Sequence, residues 1–377
     1  MVCGGFFVIF KLKILEIQIM RLITSLFFLT FIASSHAQIA PFIDFNGYFR
    51  TFYMNNFRQI EFQRIQSFKA GDNLVAYIDN RGDFKVYDGE QKISLTNMNV
   101  EYKMSDFQLA WNIGPGIFCL EKGEKRLLTT FGRNYAVSDS LVVFEDTRYN
   151  TVNVVYKGNI FPLYQVTGEL YMPEVIGENI IAFKDNGDFY KVFWRGKIYD
   201  LGVWMQGITF NAGTDMLTFN DPTHRTFAIF EKGEFLDLES YFVKSYKSGR
   251  GFAVYEDLNG NLWHYKDGVK TSLTNFSASF WEVKDDIVVW GENTMVYTYN
   301  NGEKTRLTTY MPKDYQLKNN VFAFRNLMGG VSVFMDGKLT ELTNQPDAIY
   351  AIYGNLVLVE LFNKSFLVFK DGKRFEA

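Results

Sequence analysis

The sequence predicts an all-β chain folded as a single β-propeller of short four-stranded blades. It expects about nine repeats of about 35 residues, with eight blades as the alternative. Three observations carry the expectation. Gly89, Gly123, Gly158, Gly196, Gly233, Gly268, Gly302, Gly337 and Gly372 are separated by 34, 35, 38, 37, 35, 34, 35 and 35 residues, and a fixed period of roughly 20–50 residues marks a repeat architecture. A continuous apolar run precedes each glycine at a similar distance. Beyond residue 37 no stretch of useful length carries helical periodicity.

Each repeat reads as four strands. The first, a, is short and alternating, as in Tyr135-Ala-Val-Ser138 or Phe280-Trp-Glu-Val283. The second, b, is apolar throughout, as in Leu74-Val-Ala-Tyr77, Leu141-Val-Val-Phe144, Ile180-Ile-Ala-Phe183, Phe252-Ala-Val-Tyr255 and Ile287-Val-Val-Trp290. That texture belongs to a strand covered on both faces. The third, c, ends on an aromatic residue two or three positions before the glycine, at Tyr87, Tyr156, Trp194, Phe230, Tyr265, Tyr299, Phe334 and Phe369. The glycine follows Asp, Lys, Arg or Asn. An X-Gly pair between apolar strands signals a tight hairpin, because its turn needs positive φ and glycine has no Cβ to clash. The fourth strand, d, carries Leu five residues after the glycine at Leu128, Leu163, Leu201, Leu238, Leu273, Leu307 and Leu342.

The order of apolar strand, Asp-containing turn, aromatic strand, Asp-Gly and Leu-Thr resembles the repeat of TolB-like propellers of the bacterial envelope. The clearest copies are Leu74–Thr96, Phe252–Thr274, Ile287–Thr308 and Val321–Thr343, and the resemblance spans roughly residues 65–377. It implies the fold and an envelope setting. The repeats are shorter than that family's, and the amino-terminal α/β domain of TolB has no counterpart, so TolB's partners are not carried over.

The ends set the remaining organisation. Arg21 precedes the apolar run Leu22–Ala33, and Ser35-His36-Ala37 fits a small-x-small cleavage pattern. Residues 1–37 therefore read as a signal peptide with an extended n-region, too short in its apolar part to span a bilayer. Removing them takes Lys11, Lys13 and Arg21 against Glu16. Positive residues fall from 39 to 36 and negative from 42 to 41, moving the formal net charge from −3 to −5. No basic stripe exists, which excludes nucleic acid. Cys119 is left without an intrachain partner. Residues 38–64 hold a hairpin pattern, Tyr48–Phe62, with Asn55-Asn56 at its turn. They are expected to close the ring by pairing beside the short final strand after Gly372, and residues 65–377 form the propeller.

No catalytic residue is identified. Gly-x-Ser-x-Gly, His-Glu-x-x-His, Cys-x-x-Cys and P-loop motifs are all missing, and no cofactor or metal is assigned. The most orderly polar feature follows strand b, where Asp79, Asp146, Asp185, Asp221, Asp257, Glu292 and Asn326 recur two residues after the last aromatic. Ile113 and Leu361 replace them in two repeats. Each such carboxylate can accept backbone N–H groups and close its own turn; a ring of them could otherwise meet a cation. The blade-to-blade linkers at the same end carry large apolar groups, among them Phe131, Trp204, Met205, Tyr241, Phe242, Phe276, Tyr310 and Met311. The expected binding face comprises Trp204, Met205, Tyr241, Phe276, Tyr310, Asp79, Asp146, Asp185, Asp221, Asp257 and Glu292.

The functional expectation is an exported bacterial protein, periplasmic or extracellular, that acts as a monomeric non-catalytic binding or scaffolding module for an envelope protein partner. The alternative is a glycan- or peptidoglycan-binding propeller. A hydrolase or lyase using loop carboxylates ranks below both.

Overall fold

A computed structural model describes residues 38–377, apart from 203–206 and 301. Leu22–Ala33 and the Ser35-His36-Ala37 site therefore lie outside the described residues. Among the described residues the chain forms ten separate antiparallel sheets, each built from consecutive strands. They cover residues 40–61, 67–96, 101–129, 132–165, 175–200, 210–239, 245–272, 281–308, 315–343 and 349–376, here blades 1 to 10.

Nine of the sheets have four strands in the order a-b-c-d, and the first has three. The a strands of neighbouring blades approach one another, so they line the axis. Buried clusters sit between consecutive blades. Val143 and Val154 of blade 4, for example, meet Ile181 and Phe193 of blade 5. Strand b must therefore be apolar on both faces, and in blade 2 Val75, Ala76 and Tyr77 are all fully buried.

The expected count of nine blades, or eight, is corrected to ten. The missed unit is residues 40–61, which form a sheet of their own instead of a strap on the last blade. The strands Ala40–Ile43, Phe49–Tyr53 and Asn56–Glu61 correspond to b, c and d of the repeat. The final strand Lys373–Glu376 pairs within blade 10, with Phe366–Lys370. Blades 1 and 10 meet by packing: Ala40, Phe42 and Phe52 share a cluster with Leu356, Leu358, Phe366 and Val368.

The hairpin glycines behave as read. In blade 3, Lys122 and Gly123 both have positive φ (51° and 80°) between the paired residues Glu121 and Glu124, the geometry of a two-residue primed turn. In blades 2, 3, 4, 6, 8 and 9 the recurrent leucine marks a β-bulge in strand d. Val331 pairs Thr343 while Ser332 pairs Glu341, which leaves Leu342 unpaired between them and turned into the core. Ile60 holds the equivalent bulge in blade 1 and is buried.

Candidate functional site

Antiparallel blades put their turns at two ends. The b–c turns and the d-to-a linkers share one end, and the a–b and c–d turns share the other. The expected binding residues that lie among the described residues all belong to the first end.

There the carboxylates close their own turns. Asp79 Oδ1 accepts the backbone N–H groups of Arg81 (2.8 Å) and Asp83 (3.0 Å), and Lys85 sits 2.6 Å from Oδ2. Asp185 accepts from Gly187 and Phe189, Asp146 from Arg148, and Asp221 from Thr223. Asp257 accepts from Asn259, Asn261 and the Trp263 indole. Burial pushes the Asp257 carboxyl up, but the indole and backbone donors outweigh it and hold it below the usual carboxylate range. Glu292 is used differently, accepting from the Trp290 indole at 2.9 Å and from Lys304 at 2.8 Å. Among the described residues no three His, Cys, Asp or Glu side chains converge as a metal-ligand set.

The linker residues lie beside these turns. Phe131, Phe242, Phe276 and Met311 are roughly half exposed, Tyr241 and Tyr310 less so. Trp204 and Met205 lie outside the described residues. Arg148 stacks over both Phe131 and Tyr149. The two histidines of the described chain differ. His224 is exposed and bonded to Asp221 at 2.7 Å. His264 is packed between Phe252 and Tyr299, and burial pushes it down to about 4.

The opposite end holds a charge network that the sequence reading missed. Lys318, in the a strand of blade 9, places Nζ 2.7 Å from Asp72 in blade 2 and 2.5 Å from Asp106 in blade 3. Asp72 also accepts the Gly354 N–H of blade 10 at 2.9 Å and the Asn319 amide at 3.2 Å. Further round, Asn319 N–H donates to Asp285 at 2.7 Å. Lys284 lies 3.3 Å from Asp285 and 3.9 Å from Glu178, and Thr214 donates to Glu178. Burial pushes Glu178 up to about 7, helped by its hydrogen bond with Asp285, and pushes Asp106 up to about 6 against the pull of Lys318. A cavity of about 300 Å³ lies beside this network, lined by Ser138, Asp139, Glu178, Lys247, Ser248 and Asp285 among others. The a–b turns pack backbone to backbone here. A Cβ on Gly213 would lie 2.1 Å from the Gly249 carbonyl oxygen. Carboxylates outnumber the two lysines in this network, and the Lys318 pairs tie blade 9 to blades 2 and 3 while the Gly354 bond ties blade 10 to blade 2.

A family model described as a 10-bladed beta propeller domain matches residues 33–375. The chain belongs to that family. This ten-bladed propeller has no match among curated proteins. Among solved structures it is similar to the computationally designed Ika8 protein (16% identity, TM-score 0.36, covering 83% of this chain and 95% of that one). It is also similar to the CRINKLY WD40 ectodomain of the Arabidopsis thaliana receptor kinase ACR4 (10%, 0.30, 73% and 95%) and to Hsv2 of Kluyveromyces marxianus (8%, 0.31, 74% and 99%). No helix of the propeller's described residues is long and apolar enough to cross a membrane.

Proposed function

We propose that this propeller is an exported, non-catalytic binding or scaffolding module whose partner is a protein of the bacterial envelope. The partner docks on the end formed by the b–c turns and linkers. The observation that carries the reading is the collection there of half-exposed apolar groups: Met98, Phe131, Tyr171, Phe242, Phe276 and Met311. Aromatic and methionine side chains are enriched in protein interfaces, and ten rigid blades present them without an ordering cost. The turn aspartates between them are occupied by their own backbones and Glu292 by Trp290 and Lys304, which favours a protein surface over a ligand needing free carboxylates. The TolB-like texture of the repeats supports the envelope setting, and the apolar run ending in Ser35-His36-Ala37 supports export with cleavage after Ala37.

A pull-down from envelope extract tests the reading. The protein should retain a partner that a Phe242→Ser/Phe276→Ser variant loses. Retention by the variant, or recovery of peptidoglycan fragments instead of protein, would replace it with the glycan-binding alternative. Amino-terminal sequencing of the exported product should start at Gln38; a start at Met1 or Met20 removes the export claim.

A further inference from the structure

The b–c turns permit a position-by-position comparison around the ring. The residue after the turn's first position is Asn80, Gly114, Thr147, Asn186, Pro222, Leu258 and Asn293 in blades 2 to 8. In blades 9, 10 and 1 it is Leu327, Phe362 and Phe45. These three blades are consecutive across the closure. Leu327 is 75% exposed, Phe362 88% and Phe45 77%; Met328, beside Leu327, is 71% exposed and Phe62, in the next linker, 75%. Apolar groups on this end in other blades are less exposed, Leu258 and Tyr149 on their own turns reaching 57% and 59%, whereas these five are 71–88% exposed.

The turns that carry them are rigid. Asp44 accepts the N–H groups of Asn46 and Tyr48, each at 2.9 Å. Asn326 accepts those of Met328 (3.0 Å) and Gly330 (2.9 Å). In blade 10 the Leu361 and Ser365 backbones bond at 2.9 Å, and Asn363 accepts the Ser365 N–H. Two of these three blades also lack the turn carboxylate. Asn326 and Leu361 stand where most other blades have a carboxylate. Asp44 is held by Arg50 at 2.7 Å, and Glu360 by Lys364 at 2.5 Å.

We infer that blades 9, 10 and 1 seat this end of the propeller on a lipid bilayer surface, with Phe45, Leu327, Met328, Phe362 and Phe62 entering the boundary between headgroups and acyl chains. Single exposed apolar side chains at equivalent turn positions of three adjacent blades suit a layer that yields around each of them. A protein partner would need a separate pocket for each. Turns without net negative charge avoid repulsion from anionic headgroups, and no basic cluster is present, so insertion supplies the affinity and salt has little effect.

Vesicle flotation tests this, using mixed phosphatidylethanolamine and phosphatidylglycerol, and phosphatidylcholine alone. The protein should float with both, at low and high salt. A Phe45→Asn/Leu327→Asn/Met328→Asn/Phe362→Asn variant places at positions 45, 327 and 362 the residue that blades 2, 5 and 8 already use there, and removes the neighbouring Met328 side chain. It should keep its melting temperature and lose at least about tenfold in vesicle affinity. A Phe362→Trp reporter should shift its emission to the blue on adding vesicles. Failure of the protein to float, or flotation of the variant at unchanged affinity, overturns the inference. Dimerisation without vesicles that the Asn substitutions abolish assigns the patch to a second copy. Loss of an envelope protein by that variant, with no flotation by either form, assigns it to a protein. Because Phe242 and Phe276 are untouched, failure here leaves the protein-partner reading standing.

Discussion

At the scale of single residues, two kinds of carboxylate follow opposite rules. Asp257 is a turn closer whose donors favour the charged form, so its folded-state value is lowered. Its contribution is present at neutral pH and is lost as pH falls through that lowered value. Asp257→Ala should cost about 2 kcal/mol in a urea titration at pH 7, the range for hydrogen bonds to a charged group; a loss below about 0.5 kcal/mol would remove the turn-closing role. Glu178 behaves the other way. Burial and Asp285 raise it to about 7, so the folded protein holds a proton that the unfolded chain releases near the ordinary Glu value. Stability from this group is greatest at low pH, falls as pH rises towards about 7, and is level above that. Glu178→Gln should flatten that slope in melting curves between pH 5 and 7, and an unchanged slope would place the titration elsewhere.

At the scale of elements, blade 1 shows what could be read from the chain. The X-Gly landmark identifies nine hairpins and passes over the tenth, because Met54 and Asn55 fill its turn with φ of 47° and 62°. Other signals were present in the sequence. Asp44-x-x-Gly47 repeats the spacing of Asp79-x-x-Gly82 and Asp257-x-x-Gly260, and Ile60 lies five residues after Asn55 as the leucines lie five after their glycines. A methionine in the left-handed region is strained by roughly 1–2 kcal/mol. Met54→Asn/Asn55→Gly, the preferred pair for this turn, should raise the melting temperature by a few degrees, and a fall would mean that Met54 packs productively. Phe52 belongs to the same blade and is fully buried against Phe57 and Phe375. Phe52→Ala should cost about 3–5 kcal/mol by opening the contact with blade 10; a cost near that of an exposed site would remove the packing account of closure.

At the scale of the whole molecule, the end of b–c turns and linkers was legible and the axial network was not, for a physical reason. The Asp turns and linker apolar groups recur in register with the period, so each repeat reports on the others. Asp72, Asp106, Glu178 and Lys318 acquire partners only when the ring shuts: Lys318 and Asp106 are 212 residues apart, and Asn319 and Asp72 are 247 apart. Lys318→Met would leave the buried Asp72 and the partly buried Asp106 without their cation, at a cost of about 3 kcal/mol at pH 8. At pH 5 the penalty should shrink, because Asp106, already raised to about 6, takes up a proton. Equal penalties at both pH values in denaturant titrations would sink this account of the cross-axis pair.

The bond from Gly354 to Asp72 spans 282 residues of chain, and it has a kinetic consequence. Nine blades can assemble in the order of synthesis through contacts between neighbours, but the tenth interface waits for the final segment. Loop-closure entropy grows only logarithmically with length, so the wait weighs on the folding rate far more than on the final equilibrium. Until then blade 1 shows its flank of Phe42 and Phe52 to water. A ribosome stalled before residue 349 would carry a nascent chain with that flank open, a natural handle for a chaperone.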